Sequence, residues 1–411
     1  MYVQELNLFW TKICRDKQIL ENRKGRGNFM EIIDYIVDDC QYFERLKEKS
    51  ICLFGAGTKG RQTLQLLREK GIMPHAFIDN NYQKSGGGVY EGLSVVSPKD
   101  AVKLYPESMI LITTVWKSAL EIEKFVKKNW TEYVFCANPF KCENKFLEKN
   151  QIMKQKEQFL YNYGLLSDEK SREIFIEEIN WKITGNSKPV TRFTEENSVL
   201  EWFRFDKIDW NKKYSCVDVG AYTGDTLVRF LMAVNGKYKE IIAIEPDKAN
   251  RECMKKNMKE LRLDDKITYL EEGAWKEKTE LKFYQAGSDV TYESSNFVES
   301  TANILPAQYG KKGITGIEVQ LPVDTLDSML TNVDKENLII KIDVQGSEYE
   351  AILGAAQVIS NYKPILMLEF ATHSNHILDI VPLLHKLNAG YQFYLRQTLL
   401  SGNSRTVLYA V

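Results

Sequence analysis

Four short stretches set carboxylates, three of them beside glycines, where a sheet could present them to a ligand. In VDVGAYTGDT, Asp218 precedes Gly220 and Gly224, with Tyr222, Asp225 and Thr226 in the same loop and helix start. The glycines let backbone come close to a ligand. A carboxylate pressed against a pyrophosphate would be repelled, so a cationic ligand fits better. S-adenosylmethionine carries a sulfonium and an ammonium and suits such a loop; the other reading is an acidic turn of an ordinary α/β protein. In AIEPD, Glu245 ends the next apolar run, where a carboxylate can accept from two ribose hydroxyls. That supports a nucleoside without choosing between adenosylmethionine and a dinucleotide. Glu272, Gly273 and Ala274 follow a further strand, placed for backbone pairing with an adenine edge. Asp343, in IKIDVQGSE, ends an apolar run and is the first candidate to orient or deprotonate an acceptor hydroxyl, the alternative being a helix cap.

Histidines are few: His75, His373, His376 and His385. His373 follows the strand PILMLEF and is the second candidate base, since an unperturbed imidazole titrates near ~6.5; a lone histidine also serves structure. Asp218, Asp343, Glu348 and Glu369 could gather around a divalent cation, but carboxylates at strand ends are common without one, and no metal is assigned. The seven cysteines form no CxxC pair, and Cys136 and Cys142, the nearest two, read as reduced thiols.

The elements that must position these groups are two alternating strand and helix series. The first opens with ICLFGAGTKG, whose Gly55, Gly57 and Gly60 make a GxGxxG pattern between a strand and a helix, and Asp79 ends the following strand in FIDNN. Nucleotide binding and simple turn and helix packing are both open readings of those glycines. We divide the chain into a helical segment at 1–47, for packing or an oligomer contact, a nucleotide-binding α/β domain at 48–142, a helical connector at 143–200 that could also cover the second domain, and a domain at 201–411. Asp168 reads as a helix N-cap within the connector. The polar stretch beginning SDVTYESSNF and ending GITG is assigned to acceptor binding.

Charge is balanced, with 55 Lys plus Arg against 56 Asp plus Glu, so no global field draws the chain to nucleic acid. No apolar run reaches the ~20 residues of a membrane span, and no leader is evident, which places the expectation in the cytoplasm.

The motifs VDVGAYTGDT, AIEPD, the glycine at Gly273, LPVDTLDSML and IKIDVQGSEYEAILGA, followed by KPILMLEF and FYLRQ, resemble the FkbM family of methyltransferases over about residues 160 to 411. The resemblance implies a class I methyltransferase fold, a Rossmann-like doubly wound sheet using S-adenosylmethionine, here preceded by a smaller Rossmann-like α/β domain. It also implies O-methylation of a saccharide or a related hydroxyl-bearing molecule, as in polysaccharide biosynthesis. Within it, Thr372 and His373 stand where the family has a Tyr-His pair, and Gln345 stands where many members are acidic, which puts any step needing that carboxylate in question. Residues 48 to 140 resemble small nucleotide-binding domains of bacterial sugar-modifying enzymes, implying a nucleotide or nucleotide sugar there. The competing readings are an NAD(P)-dependent oxidoreductase using the first glycine loop, and a scaffold that keeps the fold without activity.

Overall fold

The computed structural model describes residues 32–81, 88–114, 116–135, 147–194, 200–286, 296–297, 316–370, 376–400 and 403–411. Apolar runs buried on both faces generate two largely parallel sheets. The first contains β1 (Ile51–Phe54), β2 (Ala76–Ile78), β3 (Val89–Tyr90), β4 (Leu93–Val96), β5 (Met109–Ile112) and β6 (Tyr133–Phe135), in the order β3-β4-β2-β1-β5-β6. Only β3 runs antiparallel to its neighbour. The chain starts at β1, moves outward to β2 and β4, then returns to β5, so the order reverses between β1 and β5.

The second sheet repeats this logic with longer strands. It contains β7 (Tyr214–Val219), β8 (Tyr238–Ile244), β9 (Ile267–Leu270), β14 (Leu338–Ile342), β15 (Ile365–Glu369), β16 (Phe393–Leu400) and β17 (Asn403–Ala410), ordered β16-β17-β15-β14-β7-β8-β9. The five strands from β9 to β15 are parallel, while β17 and β16 return antiparallel. Every residue of β7 and of β14 is buried, as central strands covered on both faces require. Here the order reverses between β7 and β14, and such a switch point opens a crevice at the carboxyl ends of the strands.

One face of this sheet is covered by helices Lys156–Leu165, Glu169–Thr184 and His376–Leu387, which share a core with Ile340, Ile342 and Leu368. The other face carries helices Asp225–Ala233 and Lys248–Glu260 and the turn Glu201–Arg204, with Trp202, Phe203 and Phe230 buried beneath them. Asp168 does cap its helix, accepting from Ser171 N at 2.9 Å. Helix Asp39–Lys47 inserts Phe43 and Leu46 into the core of the first sheet, whereas Ile32, Ile33 and Ile36 pack with the second. Lys188 Nζ, at 2.5 Å from Glu123 and 2.6 Å from Tyr133, ties the helical segment back to the first sheet.

A third, small sheet was not anticipated. It pairs β10 (Gly273–Ala274), β11 (Thr279–Ala286), β12 (Asn296–Phe297) and β13 (Gly316–Asp324) in the order β10-β13-β11-β12. Gly273 and Ala274, expected just past a strand, themselves form a short buried strand whose backbone pairs with Val323 and Asp324. Most of the polar stretch assigned to acceptor binding, 288–295 and 298–315, lies outside the described residues.

Candidate functional site

The loops leaving β7 and β8 are joined by one carboxylate. Tyr222 N donates to Glu245 Oε2 at 2.9 Å, and Asp247 N donates to Oε1 at 3.0 Å. Asn250 Nδ2 reaches Oε1 at 3.4 Å, while Oε2 keeps room for a further donor. Glu245 is 6% exposed; burial raises its pKa to about 7 against the pull of the two backbone amides. Tyr222 itself takes a left-handed conformation (φ +48°). Gly220 is needed where it stands: its φ is +77°, and a Cβ there would lie 2.1 Å from Asp343 O. The two sides of the switch point thus pass within backbone contact of each other. Gly224 caps helix Asp225–Ala233, Thr226 is buried in its first turn, and the Asp225 carboxylate accepts from Arg229 at 2.8 Å. Glu272 is half-buried, just before β10.

Asp218 does not lie on the glycine loop as expected; it belongs to β7 and is fully buried. Its Oδ1 lies 2.9 Å from Lys341 Nζ, the residue opposite it on β14, and Lys341 also donates to Gly220 O at 3.0 Å. Burial raises the Asp218 pKa to about 6 although Lys341 pulls it down. For Lys341 burial works against the charge, but Asp218 and Asp343 outweigh it and the pKa rises. Both partners are therefore charged at neutral pH, and Asp218 forms a buried ion pair with Lys341 through Oδ1.

Beyond β14 a second constellation forms around Asp343. Gln345 Nε2 donates to Asp343 Oδ1 at 2.5 Å and to Glu369 Oε2 at 2.9 Å. Arg405 Nη1, from β17, bridges the same two acids at 3.3 Å and 3.1 Å. The amide at Gln345 thus supports two neighbouring carboxylates, where a third acid would repel them. Asp343, Glu348 and Glu369 each bring an oxygen within 4.8 Å of the others, with Asp218 outside the group. Arg405 already supplies a positive partner there, and Gln345 a neutral N–H donor. Glu348 is turned toward the loop, accepting from Val344 N at 3.2 Å and Gly346 N at 3.0 Å, and lies 3.2 Å from His376 Nδ1. His376 is buried, and His373 lies outside the described residues.

The first glycine loop is organised differently in detail. Asp79 accepts from Ala56 N at 2.8 Å and Asn81 N at 2.7 Å, so its carboxylate holds the loop. Gly60 serves packing, since a Cβ there would lie 2.0 Å from Gly55 O, and Gly55 backs onto Thr113 and Thr114. Gly57, which precedes helix Thr58–Glu69, faces open space.

Residues 218–393 match the model of the Methyltransferase FkbM domain. The chain carries an FkbM methyltransferase domain. Over 93% of this chain and 98% of the other, its fold matches the crystal structure of Methyltransferase FkbM from Methylobacillus flagellatus KT, with a TM-score of 0.64 and 18% identity. At that identity the likeness is one of fold, and it shows an α/β methyltransferase architecture. Precorrin-6y C5,15-methyltransferase from Geobacter metallireducens GS-15 aligns over 52% of this chain and 85% of its own at 11% identity and a TM-score of 0.30. A putative O-methyltransferase from Klebsiella pneumoniae aligns over 48% and 71% at 10% identity and a TM-score of 0.28. Scores that low carry no argument. No curated protein matches the chain.

Within the FkbM domain, sequence reasoning missed Lys341 and Arg405. A lysine interrupting the buried run IIKI was a usable signal, because a buried ammonium needs a buried acid. Arg405 carried no such signal.

Proposed function

We propose that the FkbM domain transfers a methyl group from S-adenosylmethionine to a hydroxyl of a saccharide or related molecule. The observation that carries this is the cradle in which Glu245 binds the Tyr222 amide at 2.9 Å, across the switch point from Asp343. The residues fit the cofactor: the Glu245 carboxylate retains acceptor capacity for a ribose diol, and Asp218 Oδ2 is buried with no hydrogen-bond partner among the described residues. Gly220, Gly224, Asp225 and Thr226 shape the loop, with Glu272, Gly273 and Ala274 toward the base. When bound, the cofactor supplies a methyl group made electrophilic by its sulfonium.

The chain's own task is then alignment and proton removal. Arg405 and Gln345 hold the carboxylates of Asp343 and Glu369 in place, and Asp343 accepts the proton of the acceptor hydroxyl. His373 is the alternative base. We further propose that 48–142 is a separate domain taking a nucleotide or nucleotide sugar at Gly55, Gly57 and Gly60, with Asp79 fixing the loop, and that 201–411 forms the methyltransferase domain. Assembly as a homo-oligomer and a place in cytoplasmic polysaccharide biosynthesis belong to the same reading.

The test is methyl transfer from labelled adenosylmethionine to a panel of nucleotide sugars, free glycans and lipid-linked glycans. Label should enter an O-methyl ether. Label on nitrogen or carbon would overturn the oxygen assignment.

A further inference from the structure

The turn that leaves β14 follows an uncommon backbone path. Gln345 takes a left-handed conformation (φ +54°), rare for a residue with a Cβ, and Gly346 follows at φ +112°, where glycine is favoured. Such a path persists only where its surroundings hold it. Glu348, fully buried, does the holding: Oε1 lies 3.2 Å from Val344 N and 3.1 Å from Gly346 N, and Oε2 lies 3.0 Å from Gly346 N. Its carboxylate therefore grips the amides on both sides of Gln345. An acid at a helix start ordinarily accepts from the helix's own first turn. Glu348 opens helix Glu348–Leu353 yet reaches back into the turn before it. His376 Nδ1 stands 3.2 Å from Oε2, at ion-pair distance though outside hydrogen-bond alignment.

We propose that Glu348 is a positioning residue for methyl transfer that acts through Gln345, resting on the methyltransferase reading given above. With the turn gripped, the Gln345 carboxamide is delivered to the carboxyl ends of β14 and β15, where Nε2 donates to Asp343 Oδ1 at 2.5 Å and to Glu369 Oε2 at 2.9 Å. One amide group thereby spaces the two acids, and each bonded oxygen keeps a second lone pair for another donor. Asp343, the proton acceptor of that reading, owes its orientation in part to a carboxylate whose own oxygens are spent on backbone amides. The same bonds set Glu348 apart from Asp343 and Glu369, although an oxygen of each lies within 4.8 Å of the others. The backbone of Asp343 does not depend on Glu348, because Asp343 N donates to Val219 O of β7 at 3.1 Å. Loosening the turn should therefore disturb the bridge between the acids and spare the cofactor loop.

NMR of the full-length protein carrying isotope-labelled glutamine reads the turn without any acceptor, the Gln345 carboxamide signal being identified by its loss in Gln345→Ala. In Glu348→Met, which keeps the length of the side chain and accepts no such bonds, that signal should move to the position of solvent-exposed glutamines. Glu348→Asp draws the carboxylate back by one methylene and should move the signal the same way, so it tests the turn even if Glu348→Met disturbs the fold. With an acceptor from the panel, Glu348→Met and Gln345→Ala should each lower kcat about tenfold, with acceptor KM and adenosylmethionine affinity within about twofold of wild type. Because the two residues act as one unit, the double variant should be no slower than the slower single one. An unmoved Gln345 signal in either folded Glu348 variant, or losses that multiply in the double variant, overturns the proposal. A wild-type protein that moves no label from adenosylmethionine to any acceptor would instead overturn the methyltransferase reading and with it the catalytic purpose of the turn, while the Gln345 signal still decides whether Glu348 sets it.

Discussion

The two glycine loops of this chain are built on the same plan and end differently. In each, a central parallel strand runs into a glycine turn, and an acid just past the next strand accepts from a loop amide: Ala56 N to Asp79 at 2.8 Å, Tyr222 N to Glu245 at 2.9 Å. Across the switch point they part. Behind Gly55 stands Thr113, whose hydroxyl returns to Phe54 O and Gly55 O. Behind Gly220 stand the buried Lys341–Asp218 pair and the Asp343, Gln345, Glu369 and Arg405 constellation. A shared backbone device thus shapes both loops, and among the described residues it is the second sheet that surrounds its loop with a cluster of ionisable groups.

The largest expected break in this comparison comes from Lys341→Met. Removing one partner of a buried ion pair costs about 3 to 5 kcal/mol, because Asp218 is left without compensation. The sign follows from the Asp218 pKa: it is about 6 with Lys341 pulling it down, so it rises further without the lysine, and the favourable contribution of the protonated acid is lost as pH rises through that higher value. Chemical unfolding should therefore show the variant failing most at pH 8 and least at pH 5. No comparable pair supports the first glycine loop among the described residues.

Asp343→Asn keeps the shape of the site and removes the charge. Once an acceptor is in hand, turnover should fall about 100-fold while adenosylmethionine affinity stays within about twofold. Wild-type turnover in this variant would move the base to His373 or leave alignment as the whole of catalysis.

A third effect is set by Glu245. With its pKa raised to about 7, the Glu245 carboxylate is depleted as pH falls, so if it accepts from the ribose as proposed, adenosylmethionine affinity should decline between pH 8 and 6 by up to about tenfold per unit below 7. A flat profile across that range would remove Glu245 from the ribose. The smallest effect is expected at Gly57→Ala. Its Cβ would meet nothing within 4 Å, so stability should change by about 1 kcal/mol or less, whereas Gly60→Ala drives a methyl into Gly55 O and should unfold the first sheet far more readily.

Much of this contrast could be read before any coordinates. Buried strands such as YSCVDV and LIIKI declare themselves by continuous apolar runs, and acids at their carboxyl ends fall into the crevice by topology alone. Asp218 belongs to β7 rather than to the loop because a strand end and a loop start differ by a residue or two in sequence, and that shift sets its Oδ1 against Lys341. Arg405 could not be anticipated, since it reaches Asp343 only through the antiparallel return of β17 beside β15. The small sheet escaped notice although Leu281 and Phe283 alternate with polar residues as a half-buried strand should.

The central claim is that the second glycine loop, and not the first, holds adenosylmethionine. Titration calorimetry on the wild-type chain, Glu245→Ala and Asp79→Ala tests it most directly. We predict that Glu245→Ala loses about 1.5 to 3 kcal/mol of binding free energy, as removal of charge-assisted ribose bonds requires, while Asp79→Ala binds as the wild type does. Unchanged affinity in Glu245→Ala together with a loss in Asp79→Ala would contradict the account.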